Sequence, residues 1–149
     1  MSRENVEVIR QGAAAWRGLD LVEAFQDEEF LRGLELFAEV LFDPEFEFQF
    51  VGPPPLETIG PRRGGEGFIR AWRDWLDGWE EFRIVPEEPV DLGDDRVLLP
   101  LRQTGQARAA GARFDEKSAA IYRFRNGKIQ SWHAYFYEAD ALEAAGLQQ

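Results

Sequence analysis

Asn126-Gly127 is the feature that most restricts how this chain can fold. The pair separates two long segments, residues 114–125 and 128–137, in which apolar and polar side chains alternate. Asn-Gly is the preferred dipeptide of a two-residue hairpin, because both of its positions need a positive φ. The sequence therefore predicts that the last two strands form an antiparallel pair.

An earlier segment, EFEFQFV (residues 45–51), also alternates strictly. Phe46, Phe48 and Phe50 fall on one side of the extended chain, while Glu45, Glu47 and Gln49 fall on the other. This period of two predicts a strand with one buried face and one solvated face.

Apolar residues at helical spacing predict three longer helices. Residues 6–16 form the first stripe, which Gly18 ends, and residues 30–41 form the second, which Asp43-Pro44 stops. A Gly- and Pro-rich loop of sixteen residues, 52–67, leads to a third, aromatic stripe over residues 68–79. Residues 81–93, interrupted by two prolines, and residues 96–109 read as further strands, and residues 138–147 as a short closing helix. Strands gathered toward the C-terminal end indicate the α+β class.

Charge and composition exclude several classes of protein. The 149 residues carry a formal net charge of −11, which repels phosphate backbones and anionic membrane surfaces. The chain has no cysteine and one histidine, so disulfides, thiol chemistry and the usual zinc sites are not expected. No apolar run approaches 18 residues, and the N-terminus lacks the apolar region of a secretory signal. We expect a cytoplasmic protein without metal or cofactor.

Four local sequences, in this order and spacing, resemble the SnoaL-like branch of the superfamily of nuclear transport factor 2 and ketosteroid isomerase. They are LFDPEFEF (residues 41–48), GGEGFIRAWRDWLDGW (64–79), GDDRVLL (93–99) and FRNGKIQSWHAYFYEADALEAAGL (124–147). The resemblance implies that residues 1–149 form a single SnoaL-like domain. It implies a cone, in which a curved and mostly antiparallel mixed sheet wraps three N-terminal helices, with an apolar pocket at the open end. It also implies a homodimer formed through the convex face of the sheet.

The resemblance does not carry over the acid/base dyad of ketosteroid isomerase, in which one Asp is the base and a protonated Asp is an oxyanion donor. Alignment of the first strand puts the base near Gln49 or Phe50, and alignment of residues 119–127 puts the second Asp near Ala120. None of these side chains can transfer a proton. Isomerase chemistry by that dyad is therefore not expected.

His133 is the one imidazole, and the face of the last strand decides its role. Alternation puts Ile129 and His133 on one face and Trp132 and Phe136 on the other. The resemblance implies that the second face lines the pocket, which places His133 on the convex side. A β-bulge before Trp132 would reverse this assignment and make His133 a catalytic candidate.

The predicted pocket combines aromatic residues with a few inward polar groups. Glu116, Tyr122 and His133 are the candidates for a catalytic residue. The tryptophans on the helices are either plain core or a wall over a ligand. The predicted pocket residues are Trp16, Phe50, Trp75, Gln103, Ser118, Tyr122, Trp132 and Phe136.

Two functions stay open. One is a cofactor-free isomerase, cyclase or hydratase acting on a polyketide-like or other hydrophobic small molecule. The other is a non-catalytic ligand-binding or dimeric assembly module of the same fold. The missing dyad favours the second, whereas a paired Glu116, Tyr122 or His133 inside the pocket would favour the first.

Overall fold

The computed structural model of the chain describes residues 2–52 and 59–147. Its helices are α1 (Ser2–Ala14), α2 (Leu21–Ala24), α3 (Glu28–Leu41), α4 (Gly64–Leu76) and α5 (Glu138–Ala144), and a 3-10 turn spans Ala109–Gly111. Its strands are β1 (Phe42–Val51), β2 (Arg62–Arg63), β3 (Trp79–Pro86), β4 (Val90–Gly93), β5 (Arg96–Ala107), β6 (Arg113–Arg125) and β7 (Lys128–Tyr135). None of the described helices is long and apolar enough to cross a membrane.

The strands form one mixed sheet in the order β2-β1-β7-β6-β5-β3, and β4 also pairs with β5. β1 runs parallel to β7, and the other pairs are antiparallel. The sheet curls strongly into a half-barrel. Helices α1 to α4 contribute to the core inside the curl, whereas α5 packs on the outer face of the sheet against Leu98 and Ala119. The predicted α+β cone is confirmed, and β1 precedes α4 as the sequence predicted.

Both alternating segments form the predicted strands. Phe46 and Phe48 are fully buried in the core of β1, as the period of two requires. At the predicted hairpin, Asn126 has φ 52° and Gly127 has φ 79°, the positive values that the tight turn needs.

Several elements differ from the sequence prediction. α1 ends at Ala14, so Trp16 lies in the turn after it, while Gly18 adopts the expected positive φ of 75°. α4 ends at Leu76, and Trp79 begins β3 instead of closing the helix. The segment with two prolines is two strands, β3 and β4, and the four-residue α2 was not predicted. Six residues of the predicted loop, 53–58, lie outside the described part of the chain.

A β-bulge in β7 changes one face assignment. Arg123 pairs with Ser131 but Phe124 pairs with Ile129, so Gln130 is an extra residue in β7. Ile129 is consequently fully buried in the core, and its predicted placement beside His133 is wrong. The bulge lies before Trp132, yet it turns Ile129 inward and leaves Trp132 on the inner face.

An ion-paired network lies at the beginning of β1. The Arg125 guanidinium donates to both carboxylate oxygens of Asp43, at 2.7 and 3.1 Å, and also to Glu45 at 2.9 Å. These hydrogen bonds hold the pKa of Asp43 below its ordinary value. These contacts link the hairpin of β6 and β7 to the beginning of β1.

Candidate functional site: an aromatic cavity between the helices and the sheet

A cavity of about 500 Å³ lies between the concave face of the sheet and helices α1, α3 and α4. Its floor is formed by the inner faces of β5, β6 and β7, whose side chains point inward at every second position. All eight residues of the predicted pocket lie on its wall: Trp16, Phe50, Trp75, Gln103, Ser118, Tyr122, Trp132 and Phe136. Of the tryptophans predicted as either core or ligand wall, Trp16, Trp72 and Trp75 belong to the buried core and also line the cavity, whereas Trp79 is buried and does not line it.

Many aromatic side chains line this cavity. Ten aromatic side chains line it: Trp16, Phe30, Phe37, Phe50, Phe68, Trp72, Trp75, Tyr122, Trp132 and Phe136. The rings pack against one another. Phe50 and Trp75 are stacked, with ring centroids 4.7 Å apart and an interplanar angle of 15°, and Tyr122 and Trp132 form a tilted pair with centroids 4.7 Å apart. Such pairs each contribute about 0.5–1.5 kcal/mol beyond the burial of their area, so the wall is stiff as well as apolar.

Two inward polar side chains are held by a single main-chain oxygen. Ser118 Oγ donates to the carbonyl oxygen of Phe136 at 2.6 Å, and Gln103 Nε2 donates to the same oxygen at 3.3 Å. Both side chains are more than nine-tenths buried. These contacts satisfy buried polar groups, and they tie β5 and β6 to the end of β7.

Tyr122 is the buried phenol of the wall, with 4 % of its surface exposed. Burial raises the pKa of Tyr122 well above its ordinary value, because the charged phenolate would be poorly solvated there. The side chain is therefore a neutral hydrogen-bond donor at physiological pH. It is not poised to act as a general base.

The indole N–H groups of Trp72 and Trp75 are shielded from solvent and have no hydrogen-bond partner among the described residues. Each indole instead has a nearly perpendicular phenyl ring beside it, Phe50 for Trp72 at 4.9 Å and Phe82 for Trp75 at 5.9 Å. Because these nitrogen atoms are shielded, a molecule in the cavity would not reach them.

The cavity opens between α1 and α3. Among the described wall residues, the exposed ones are Gln11, Ala15, Glu29 and Gly33, which we call the mouth. Two of these four have the smallest side chains available, and a Cβ added to Gly33 would have no atom within 4 Å. No sequence pattern predicts the mouth, because periodicity does not show how far apart two helices pack.

His133 and Glu116 do not line the cavity. His133 lies on the convex face of β7, where its Nε2 is 3.9 Å from Glu47 Oε1, too far for a hydrogen bond. Partial burial lowers the pKa of His133, and the Glu47 carboxylate opposes this shift. Glu116 is half-buried on β6, opposite Gln103.

The positions aligned with the isomerase dyad hold no acid or base inside the cavity. Phe50 and Ala120 line it, and Gln49 pairs with His133 through the β1–β7 ladder. Within residues 2–52 and 59–147, no three or more side chains of the types His, Cys, Asp and Glu lie close enough together to hold a metal ion.

The comparison that decides the family covers most of the chain. A family model described as the SnoaL-like domain matches residues 19–132. The chain belongs to the SnoaL-like family. No curated protein matches this SnoaL-like chain in sequence.

Solved structures share the fold of this SnoaL-like protein over nearly its whole length. TerC, co-crystallised with polyporic acid, is 18% identical with a TM-score of 0.64, covering 96% of this chain and 98% of TerC. Bal32a, from a soil-derived mobile gene cassette, is 22% identical with a TM-score of 0.65, covering 96% of each chain.

A third structure comes from Catenulispora acidiphila DSM 44928 and is a protein with a ketosteroid isomerase-like fold in complex with trimethylamine. It is 22% identical with a TM-score of 0.57, covering 95% of this chain and 94% of that protein. Identities this low establish a common architecture and leave function to the site itself.

Proposed function

We propose that this SnoaL-like protein binds a small, largely apolar aromatic molecule in the cavity that opens between α1 and α3. The observation that carries the proposal is the cavity of about 500 Å³ with aromatic walls and an exposed mouth. Ligand sites are typically concave and apolar with a few placed polar groups, and this cavity has that composition. Two structures of the same fold, TerC with polyporic acid and the Catenulispora protein with trimethylamine, also hold small molecules.

Binding without catalysis fits the chemistry of the wall better than acid/base turnover. Glu29, at the mouth, is the one carboxylate among the described wall residues, and no imidazole is among them. Ser118 already donates to a main-chain carbonyl, and the raised pKa of Tyr122 makes it a poor base. No described wall residue thus combines burial with a pKa near neutrality, which general acid/base catalysis favours.

A cofactor-free isomerase, cyclase or hydratase is the second candidate, and Tyr122 is the observation in its favour. A neutral buried phenol can donate a hydrogen bond to a carbonyl oxygen and stabilise charge that develops on it. Such an enzyme would lose turnover in Tyr122→Phe with little change in substrate affinity. A binding protein would show no turnover with either variant.

Titration calorimetry with 2-naphthol tests the binding proposal. This flat neutral probe fits well within the cavity, and we expect a dissociation constant on the order of 10 µM. Ala134 lies on the wall, so Ala134→Phe should fill the cavity and weaken binding at least about tenfold. Ala144→Phe, on the exposed side of α5, is the matched control and should bind as the wild type does. Equal binding by both variants would place the probe elsewhere and contradict the proposal.

We also propose that residues 1–149 act as one SnoaL-like domain in the cytoplasm and form a homodimer through the convex face of the sheet. The half-buried His133 on the outer face of β7 supports such an interface, since partly apolar strand faces are covered in many oligomers. Light scattering coupled to size exclusion measures the mass directly. A monomer at micromolar concentration would contradict the dimer.

A further inference from the structure

The cavity wall is almost free of charge, and the charge it does have is negative. Among the described wall residues there is no Lys, Arg or His, and Glu29 is the one ionised side chain. The chain as a whole carries a formal net charge of −11. An anion approaching the mouth is therefore repelled by the protein and meets no cation inside.

We propose that the cavity selects its ligand by charge, admitting neutral and cationic aromatic molecules and rejecting anions, and that Glu29 is the residue that sets the preference for cations. This inference rests on the proposed function, because it names the chemical class of the ligand for the same cavity.

The interior offers little to solvate an anion. Ser118 and Gln103 both direct a donor to the carbonyl of Phe136, and the indole nitrogens of Trp72 and Trp75 are shielded. Tyr122 can supply one neutral donor, which does not replace the hydration shell of a carboxylate. An unpaired ion in such surroundings is strongly disfavoured.

The same wall is favourable to a cation. Aromatic faces carry negative electrostatic potential at their centres and attract ammonium groups within about 6 Å. Trp16 and Phe30 are wall residues whose ring centroids are 5.9 Å apart. Each directly follows a mouth residue in the sequence, so a ligand ammonium near Glu29 would lie beside aromatic rings.

The Glu29 carboxylate can pair with a ligand cation because it forms no hydrogen bond or salt bridge with another described residue. It lies in the first turn of α3, where its own backbone N–H donates to Asp27 Oδ1 at 3.0 Å. No Lys, Arg or His among the described residues forms a salt bridge with it. Glu28 shares the same helical turn and its exposure but does not line the cavity.

Three probes of nearly equal shape separate charge from size. They are 2-naphthamide, which is neutral, 2-naphthoate, an anion at pH 7.5, and 2-naphthylmethylammonium, a cation at pH 7.5. Each is titrated by calorimetry into the wild type, Glu29→Gln and Glu28→Gln at low ionic strength. Glu28→Gln is the matched control, because it removes the same charge from the same turn without touching the cavity.

We expect the amide and the ammonium to bind, and the naphthoate to bind at least about 100-fold more weakly than the amide. Glu29→Gln should weaken the ammonium about three- to tenfold, the range for a partly exposed ion pair, and leave the amide within about twofold. Glu28→Gln should leave all three affinities within about twofold.

Two results would overturn the inference while leaving the binding function intact. One is naphthoate affinity within about threefold of the amide. The other is an equal loss of ammonium affinity in Glu28→Gln and Glu29→Gln, which would assign the effect to net charge alone. If none of the three probes binds, the proposed function itself is contradicted, and the inference with it.

Discussion

The Ser118 hydroxyl donates a 2.6 Å hydrogen bond to the carbonyl oxygen of Phe136, joining the middle of β6 to the residue directly after β7. The N–H of Phe136 donates in turn to the carbonyl of Val51 at the end of β1, at 2.8 Å. The main chain of Phe136 is thus held from both sides. Its ring, which forms part of the cavity wall, is fixed by these contacts and not only by packing.

Ser118→Ala should lower the free energy of unfolding by about 1–2 kcal/mol. The substitution removes a buried hydrogen bond and leaves the Phe136 carbonyl with only the longer contact from Gln103. Urea unfolding followed by tryptophan fluorescence measures the change. Ser131→Ala, on the half-buried outer side of β7, is the control and should change stability by less than about 0.5 kcal/mol. Equal effects from both variants would show that the contact to Phe136 is unimportant.

Gly33→Leu should obstruct the mouth without harming the fold. A side chain at this position of α3 enters open space, and leucine is a better helix former than glycine by roughly 0.5–1 kcal/mol. We expect an unchanged or raised melting temperature together with slower association of 2-naphthol, measured by stopped-flow fluorescence.

Ala14→Leu provides the control for the mouth, since Ala14 is an exposed residue of α1 that does not line the cavity. It should leave the association rate within about twofold of the wild type. Rapid association in Gly33→Leu would indicate that ligands enter by another route.

Tyr122→Phe should weaken ligands that carry a carbonyl group and spare those that do not. Loss of one neutral hydrogen bond corresponds to about 0.5–1.5 kcal/mol, or roughly a two- to tenfold change in affinity. Calorimetry with 2-acetylnaphthalene and with 2-methylnaphthalene separates the two cases. An equal change for both ligands would mean that the ring of Tyr122 matters and its hydroxyl does not.

His133→Ala should leave the affinity for any cavity ligand within about twofold, because His133 lies on the convex face of the sheet and outside the wall. Calorimetry with 2-naphthol is the direct measurement. A tenfold loss of affinity with an unchanged circular dichroism spectrum would contradict this placement.

The stability of the protein should depend on pH through His133. Burial lowers the pKa of His133 in the folded protein, whereas the unfolded chain has the ordinary value of about 6.5. Below about pH 6.5 the unfolded state therefore binds more protons than the folded state. The stability conferred by the neutral imidazole is complete above that pH and is lost as the pH falls toward the pKa of His133 in the folded protein. His133→Gln should flatten the fall in urea midpoint between about pH 7 and 5. A parallel fall in both proteins would assign the effect to other groups.

Alternation along the strands was a sound guide to the inner face, and it failed only where the chain inserts a residue. Phe46, Phe48 and Phe50 are buried as the period of two predicts. Ile129 is not where that period puts it, because the bulge at Gln130 shifts its parity relative to His133. A bulge depends on pairing with a neighbouring strand and leaves no clear mark on a single sequence.

In the candidate site too, features that depend on local periodicity could be predicted, and features that depend on packing between distant segments could not. The inward positions of β5, β6 and β7 follow from periodicity, which is why Gln103, Ser118 and Trp132 could be predicted as wall residues. The mouth at Glu29 and Gly33 could not, because it depends on how α3 packs against α1. The hydrogen bonds to the Phe136 carbonyl likewise join residues that are distant in sequence.

The aromatic wall has an evolutionary consequence. Most of its side chains are hydrocarbon and form no side-chain hydrogen bonds. Apolar residues can often be exchanged for others of different shape at a cost below about 1.5 kcal/mol when total volume is kept. Single substitutions can thus change the shape of the cavity while the hydrogen bonds that join the strands around it are kept. Proteins that evolve from this chain could therefore change their ligand while keeping the fold.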